Sequence, residues 1–424
     1  MALPSAPEPA AARPASPPRH SHSVAAAVVA PGSVFVALFV LALSLRPQLS
    51  AIGPLVPEIL ADFGPSHAFI GLLTAIPVFC MGLFALVGPV VAGRFGTRGG
   101  VTLSVAVLIG CGILRAVAPG AELVLLATFG LGVGTAVVGP ILAMFVRDRM
   151  PGQNVGGTSA YAGGTVVGAA VGAALAVPLA DAFGGWRASL LAISLLSILS
   201  VVTWLALVRR RPRPVGEDGR EVSPVRGYHL PQLPWRRGVV WAIALLFGLQ
   251  SWLYYGQNAW LASVYIELGW APAAAAFLVS LVALAGIISI VGAPAAARRG
   301  VSRRALLTGA SVSSTIGWLG VALVPGAAIA WAVFMGAGLG MMFTVLLTLP
   351  TDLSHDPRQV GGAAALMLLV GYLLAALAPS VLGAIRDAAG SFEPALWLLV
   401  AIGVSMIPLS WSMTPRRLHG HEAG

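Results

Sequence analysis

Long apolar stretches, separated by short polar connections, run along the chain from residue 33 to residue 412. Twelve can be placed: 33–60, 67–92, 99–118, 122–146, 155–180 and 186–208, then 238–266, 272–296, 304–324, 327–349, 360–385 and 393–412. About 20 apolar residues are enough to cross the hydrocarbon of a bilayer as a helix. Every backbone polar group inside a bilayer needs an internal partner, so the stretches predict spanning helices. Polar, proline-rich sequence surrounds them. Residues 1–30 read as a disordered cytoplasmic tail that cannot bury a core, residues 209–237 as a basic cytoplasmic linker, and residues 414–424 as a second tail. The first tail is not expected to be a cleavable signal, because the apolar stretch after it is too long and more spans follow.

The pattern repeats once, at an offset of about 205 residues. Gly88, Arg94 and Gly96 recur as Gly292, Arg298 and Gly300, and the run Gly130–Gly134 recurs as Gly336–Gly340. Gly156-Gly157 recurs as Gly361-Gly362, and Gly185 as Gly390. The expected architecture is an all-α integral membrane protein of twelve transmembrane helices in two pseudo-symmetric six-helix bundles, 31–208 and 238–413. Two related bundles rocking about a site between them are what a secondary transporter needs, and they make a monomer self-sufficient.

Composition agrees: 58% of the 424 residues are hydrophobic and 9% charged, with mean hydropathy +0.89, whereas about a quarter of ordinary soluble residues are charged. The net charge of +10 does not indicate nucleic acid, because its placement follows the membrane. Every basic side chain is an arginine. With the N-terminus inside, all fall on the cytoplasmic side except Arg46 within the membrane and Arg115, Arg187 and Arg386 outside. This positive-inside bias predicts a multi-pass protein of the cell (inner) membrane with both termini cytoplasmic. Cys80 and Cys111 lie in apolar stretches without metal-ligand spacing and read as small buried hydrophobes. His20 and His22 sit among serines in the first tail, and no cofactor or metal is implied.

Few charges lie within the spans. Arg46, in Leu45-Arg46-Pro47-Gln48, sits midway along the first, where an arginine costs about 2.5–3.5 kcal/mol on insertion scales. It reads as a fixed positive charge in a central cavity, or as a structural arginine satisfied by carbonyls freed at Pro47, which lacks an N–H. No acidic residue lies so deep. Glu58, near the outer end of the first span, is the candidate proton carrier, with an interfacial or capping carboxylate as the alternative. Asp62 and Glu267 lie close to outer loops.

The seventh span is the most polar and aromatic. Gln250, Tyr254, Gln257, Asn258 and Leu261 follow i, i+4, i+7, i+8, i+11 and share one helical face. By the repeat offset Gln250 falls opposite Arg46. The row reads as cavity lining, or as helix–helix glue worth about 0.6 kcal/mol per hydrogen bond. Tyr161 and Tyr372 are lone hydroxyls in apolar spans, either lining the pathway or bonding within the bundle. Gly164, Gly168 and Gly172 predict close packing between the moving halves.

The inner loop Gly88, Arg94, Gly96, Arg98 resembles the loop-two signature of the major facilitator superfamily, with Gly93 where that signature has aspartate. Several stretches are similar to the cyanate and nitroimidazole transporter branch of that superfamily. In the first half these are Leu45-Arg46-Pro47, Gly53-Pro54-Leu55, Pro57-Glu58-Ile59, Gly71-Leu72-Leu73-Thr74, Ile76-Pro77-Val78, Gly82-Leu83-Phe84-Ala85 and Arg94-Phe95-Gly96. In the second they are Gly248-Leu249-Gln250-Ser251, Tyr255, Trp260-Leu261 and Gly371-Tyr372-Leu373-Leu374-Ala375-Ala376 with Pro379 and Gly383. The resemblance implies the major facilitator fold and movement of a compact polar solute such as cyanate, a nitroheterocycle or a small carboxylate. It would place Arg46, Gln250, Tyr254, Tyr255, Asn258 and Trp260 near substrate.

The leading expectation is a carrier of a small polar, anionic solute by alternating access, proton-linked or facilitative. Multidrug efflux through a broad apolar cavity is the alternative within transport, and a non-transporting sensor has the same fold. A membrane-embedded enzyme would need a nucleophile with its base, or metal ligands at helical spacing. The chain has no His-x-x-x-His pair and no intramembrane carboxylate cluster, and His67, His229 and His355 fall in or beside loops.

Overall fold

Proline, glycine and the apolar runs together set where each helix begins, bends and ends in the structure, a computed structural model that describes residues 31–64, 66–150, 154–208, 233–354 and 356–414. The first tail with His20 and His22, most of the central linker and nearly all of the second tail lie outside the described residues. The N-terminal half consists of α1 (Pro31–Leu43), α2 (Pro47–Ser50), α3 (Val56–Phe63), α4 (His67–Phe84), α5 (Gly88–Val117), α6 (Ala121–Arg149), α7 (Asn154–Phe183) and α8 (Trp186–Leu207). The C-terminal half consists of α9 (Gly238–Glu267), α10 (Pro272–Arg298), α11 (Arg303–Leu323), α12 (Ala328–Thr348), α13 (Pro357–Ala375), α14 (Leu377–Ala389) and α15 (Glu393–Trp411).

Eleven helical stretches among the described residues are long and apolar enough to cross a bilayer, and one of these, His67–Val117 at 51 residues, is two spans. They join at Gly96, whose φ of 72° breaks the helix and turns the chain at its arginine-rich end. The predicted inner loop is thus a one-residue turn inside a near-continuous helix. The expected twelve spans follow. Side chains such as Leu126, Leu199, Ile288 and Val291 point outward from the bundle and form an apolar exterior.

The duplication is visible in the backbone. Gly64 and Gly269, Gly96 and Gly300, and Gly185 and Gly390 all have positive φ, and each pair sits at corresponding turns of the two halves. A side chain with a Cβ rarely adopts that conformation, so glycine keeps these turns at equivalent places in both copies.

The first span is broken twice. α1 stops at Leu43, Pro47 starts the short α2, and a 3₁₀ turn over Gly53–Leu55 leads into α3. Around the first break, carbonyls released from the helix find local partners: Leu41 O accepts from Ser44 N at 3.1 Å and from Ser44 Oγ at 2.7 Å, and Ala42 O accepts from Leu45 N at 3.2 Å. Arg46 therefore stands in a short non-helical segment, with its guanidinium free to reach elsewhere. The eleventh span breaks similarly between α13 and α14, just before Pro379.

Glycines allow the closest helix contacts. A Cβ on Gly164 would lie 2.5 Å from Phe39 O, and one on Gly172 would overlap Pro47. The Gly164–Gly168–Gly172 row thus brings α7 against α1 and α2, within the N-terminal half. This corrects the expectation that it packs the two halves together. The seam between halves is built by other glycines. A Cβ on Gly71 of α4 would lie 2.6 Å from Pro379 O and Ser380 Cα of α14, and Gly53 packs on the backbone of Asn258. α7 also crosses α10, where Ser280 Oγ donates to Ala170 O at 2.9 Å.

Gly71→Ala and Gly164→Ala are expected to lower the apparent melting temperature of the purified protein, an overpacking cost of about 1–3 kcal/mol. Gly110→Ala, where a Cβ meets nothing within 4 Å, is expected to leave it unchanged or raise it. Equal melting of all three variants in a fluorescence-monitored thermal ramp would contradict the close-approach assignment.

Candidate functional site

The break at Arg46 and the polar face of α9 meet midway along the seam. A cavity of about 20 Å³ lies between them, lined by Arg46, Leu49, Ser50, Thr74 and Ala169 from the N-terminal half and by Tyr254, Tyr255 and Asn258 from the C-terminal half. Arg46 Nη1 donates to Tyr255 Oη at 2.9 Å, a contact that joins the two halves. The guanidinium carbon also sits 5.9 Å from the centre of the Tyr255 ring. Tyr255 packs edge-on to Tyr254 at 5.2 Å and faces Tyr372 at 6.4 Å, with Tyr372 held edge-on by Phe247 at 5.3 Å. Tyr161 and Tyr372 both lie within electrostatic reach of Arg46.

Among the described residues no carboxylate lines this cavity, and the charged group at its wall is a guanidinium beside the phenol hydroxyls of Tyr254 and Tyr255. A hydroxyl satisfies a hydrogen bond from arginine without cancelling its charge. The surroundings therefore favour a negatively charged or strongly dipolar guest. Of the two readings of Arg46, its guanidinium donates to Tyr255 rather than to a carbonyl freed at Pro47.

The other predicted positions fall as follows. Asn258 lines the cavity, with its Nδ2 donating to Tyr254 O at 2.9 Å one turn back. Gln250 is buried against α12, where Nε2 donates to Leu339 O at 3.4 Å, and Ser251 Oγ donates to its Oε1. It acts as helix–helix glue, and the residue across from Arg46 is Tyr255. Trp260 donates from Nε1 to Pro379 O at 2.8 Å and stacks with His67 and Phe392, away from the cavity. Glu58 lies in the first turn of α3, with Oε2 facing Gly185 at the arginine-poor end. Gly88 packs on Val137 and Pro140 of α6, and Arg98 donates from Nη2 to Leu205 O at 2.9 Å, while Arg94 lies 5.9 Å from the Phe95 ring.

Thr74 and Arg115 were not anticipated. Thr74 is a lone hydroxyl in an apolar span, the same signal that singles out Tyr161. Arg115, placed outside by its position in the sequence, turns inward instead and is only 1% exposed. Its Nη2 donates to Gln48 O at 2.8 Å and Gln48 Oε1 at 2.6 Å, and Gln48 Nε2 donates to Ser194 Oγ at 2.6 Å. This chain of bonds ties the broken first span to α5 and α8, two residues from Arg46. An arginine near the end of a span can turn its head inward when polar backbone at a helix break is there to receive it.

A duplicated bundle of spanning helices, with a cavity at the seam between its halves, has the architecture of a membrane carrier. The chain belongs to the Major Facilitator Superfamily, which matches it over residues 34–379. It is 28% identical over 385 residues to the cyanate transport protein CynX of Escherichia coli (strain K12), covering 89% of this chain and 97% of that protein. It is 28% identical over 373 residues to the 2-nitroimidazole transporter of the same organism, covering 88% of this chain and 91% of that protein. In structure it is similar to the inward open conformation of the xylose transporter XylE from E. coli, with a TM-score of 0.73 and 14% identity over 91% of this chain and 98% of that one. The chain is thus a multi-pass membrane transporter for a small solute, on the branch that contains the cyanate and 2-nitroimidazole transporters, and not an enzyme.

Arg115→Ala strands two acceptors on Gln48, and a thermal-stability loss equivalent to about 1–3 kcal/mol is expected. Arg115→Lys, which keeps a donor, is expected to recover part of it. A fully stable Arg115→Ala variant in the same ramp would show that the network does not brace the break.

Proposed function

We propose that the protein carries a small anionic or strongly dipolar solute, in the class of cyanate, nitroheterocycles and small carboxylates, by alternating access of its two halves. The observation that carries this reading is the Arg46–Tyr255 contact: a guanidinium without a carboxylate partner, bonded across the seam, at the wall of a cavity shared by both halves. Solute entering the cavity competes with the Tyr255 hydroxyl for Arg46, which loosens one half from the other and couples binding to rocking. Tyr254, Tyr255 and Asn258 supply polar contacts from the C-terminal half, and Ser50 and Thr74 from the N-terminal half. Tyr161 and Tyr372 form the outer ring of hydroxyls.

The relatives' names support a compact solute over the bulky lipophilic guests of multidrug efflux: one is named for cyanate and the other for 2-nitroimidazole. The positive-inside bias supports the arginine-rich end as cytoplasmic, with both termini there, in the inner membrane. The two halves complete the site within one chain, so it works as a monomer, and protons are the candidate coupling ion.

Uptake of radiolabelled cyanate and simple carboxylates into proteoliposomes tests the proposal. Wild-type protein is expected to show saturable flux for at least one of these, and Arg46→Gln to reduce it by about tenfold or more while eluting and melting like wild type. Flux that is unchanged in Arg46→Gln would make the arginine structural and reject the anion reading.

A further inference from the structure

Another polar contact crosses the seam, at the arginine-poor end, and it is built from groups that titrate. Asp387 of α14 reaches over to the start of α4. Its Oδ1 accepts from His67 N at 3.2 Å and lies 2.6 Å from His67 Nδ1, and its Oδ2 accepts from Ala68 N at 3.0 Å. The first amides of a helix have no partner within it, and its positive dipole end favours an anion. A carboxylate from the C-terminal half therefore closes the helix of the N-terminal half. The His67 ring is also wedged among C-terminal aromatics, 5.6 Å from Trp260 and 5.9 Å from Phe392, and a Cβ on Gly383 would lie 2.5 Å from His67 O.

We propose that His67 and Asp387 form a proton-binding latch that seals the outer side of the carrier. Neutral His67 makes the Asp387 contact with its Nδ1–H. A proton added at Nε2 turns that hydrogen bond, already assisted by the carboxylate's charge, into a hydrogen-bonded ion pair. The proton gains its carboxylate partner only while the halves are closed at this end. By linkage, acid then favours closure. The latch thus offers a site for the candidate coupling proton at the outer seam, apart from Glu58 in the first turn of α3.

The other ionisable groups at this end are engaged elsewhere or stand apart. Arg386, beside Asp387, pairs with Glu267 at 2.8 Å and lies 6.0 Å from the Phe392 ring. Arg187 pairs with Asp62 within the N-terminal half. Glu58, Glu122, Asp181 and Glu393 carry no hydrogen bond or ion pair to His67 or Asp387.

The latch deepens the carrier reading but does not depend on Arg46, so it is tested without substrate. Cys80 and Cys111 are replaced, and spin labels are placed at Phe183 and Leu323, exposed residues at the ends of α7 and α11 in opposite halves. Double electron–electron resonance distances are then recorded from pH 8 to pH 5.5, the range in which imidazoles as a class change charge. The ratio of open to closed populations is expected to fall about tenfold with acidification, a typical size for coupled sites. His67→Asn, which keeps a neutral donor, and Asp387→Asn are each expected to abolish this response. Asp387→Asn is also expected to be more open throughout, since the helix end loses its anion. A flat wild-type response, or a wild-type response in folded His67→Asn, overturns the latch; should that variant not fold, an unchanged response in Asp387→Asn does so. A pH response that survives alongside unimpaired Arg46→Gln uptake rejects the anion reading alone and leaves the latch standing.

Discussion

A charged guanidinium inside an apolar bundle must find hydrogen-bond acceptors, and the N-terminal half is organised around two that do. Both meet the first span where proline breaks it. Arg115 grips that break from behind through Gln48, and Arg46 projects forward from it to Tyr255. An unbroken helix would spend its carbonyls on its own amides and offer Arg115 only the Gln48 side chain. The break thus serves two ends: it accepts one buried arginine and aims the other at the seam. Neither contact involves a carboxylate, so positive charge at the cavity is retained rather than neutralised.

Around this centre, glycine decides how closely the helices approach. One set of glycines lets α7 press on the broken first span, and the other lets α4 and the first span touch the backbone of α14 and α9. The first set stiffens a half, and the second makes the surface on which the halves separate and meet. At these glycines the halves meet backbone to backbone, beside side chains such as Val78 and His67 that pack into the opposite half. Among the described residues the seam's polar links include Arg46–Tyr255 and His67–Asp387, both with ionisable partners.

Much of this was legible in the linear pattern. The spans, the duplication and its turn glycines follow from hydropathy and spacing, because a bilayer admits few backbone solutions. Arg46 was legible because a charge in mid-span is costly enough to stand out. Tyr254 and Asn258 were legible because a helical period puts them on one face, and Tyr255 only through the family resemblance. The same period misplaced Gln250, which shares the Tyr254 face by angle yet lies one turn along, where α12 and not the first span is its neighbour. Trp260 fell outside for a like reason, being opposite α14.

By itself, then, the chain's order of apolar and polar residues determined that it is a duplicated membrane bundle with a positive charge in mid-span. Hydrophobic length and charge asymmetry act locally, and a bilayer reads them directly. Only the tertiary structure decided which groups meet: that Arg115 turns inward to Gln48, that the glycine row of α7 stiffens one half, and that Asp387 caps a helix 320 residues away. Those pairings depend on the level at which each helix crosses its neighbours, a quantity set by packing at breaks and glycines and not by the periodicity of any one helix.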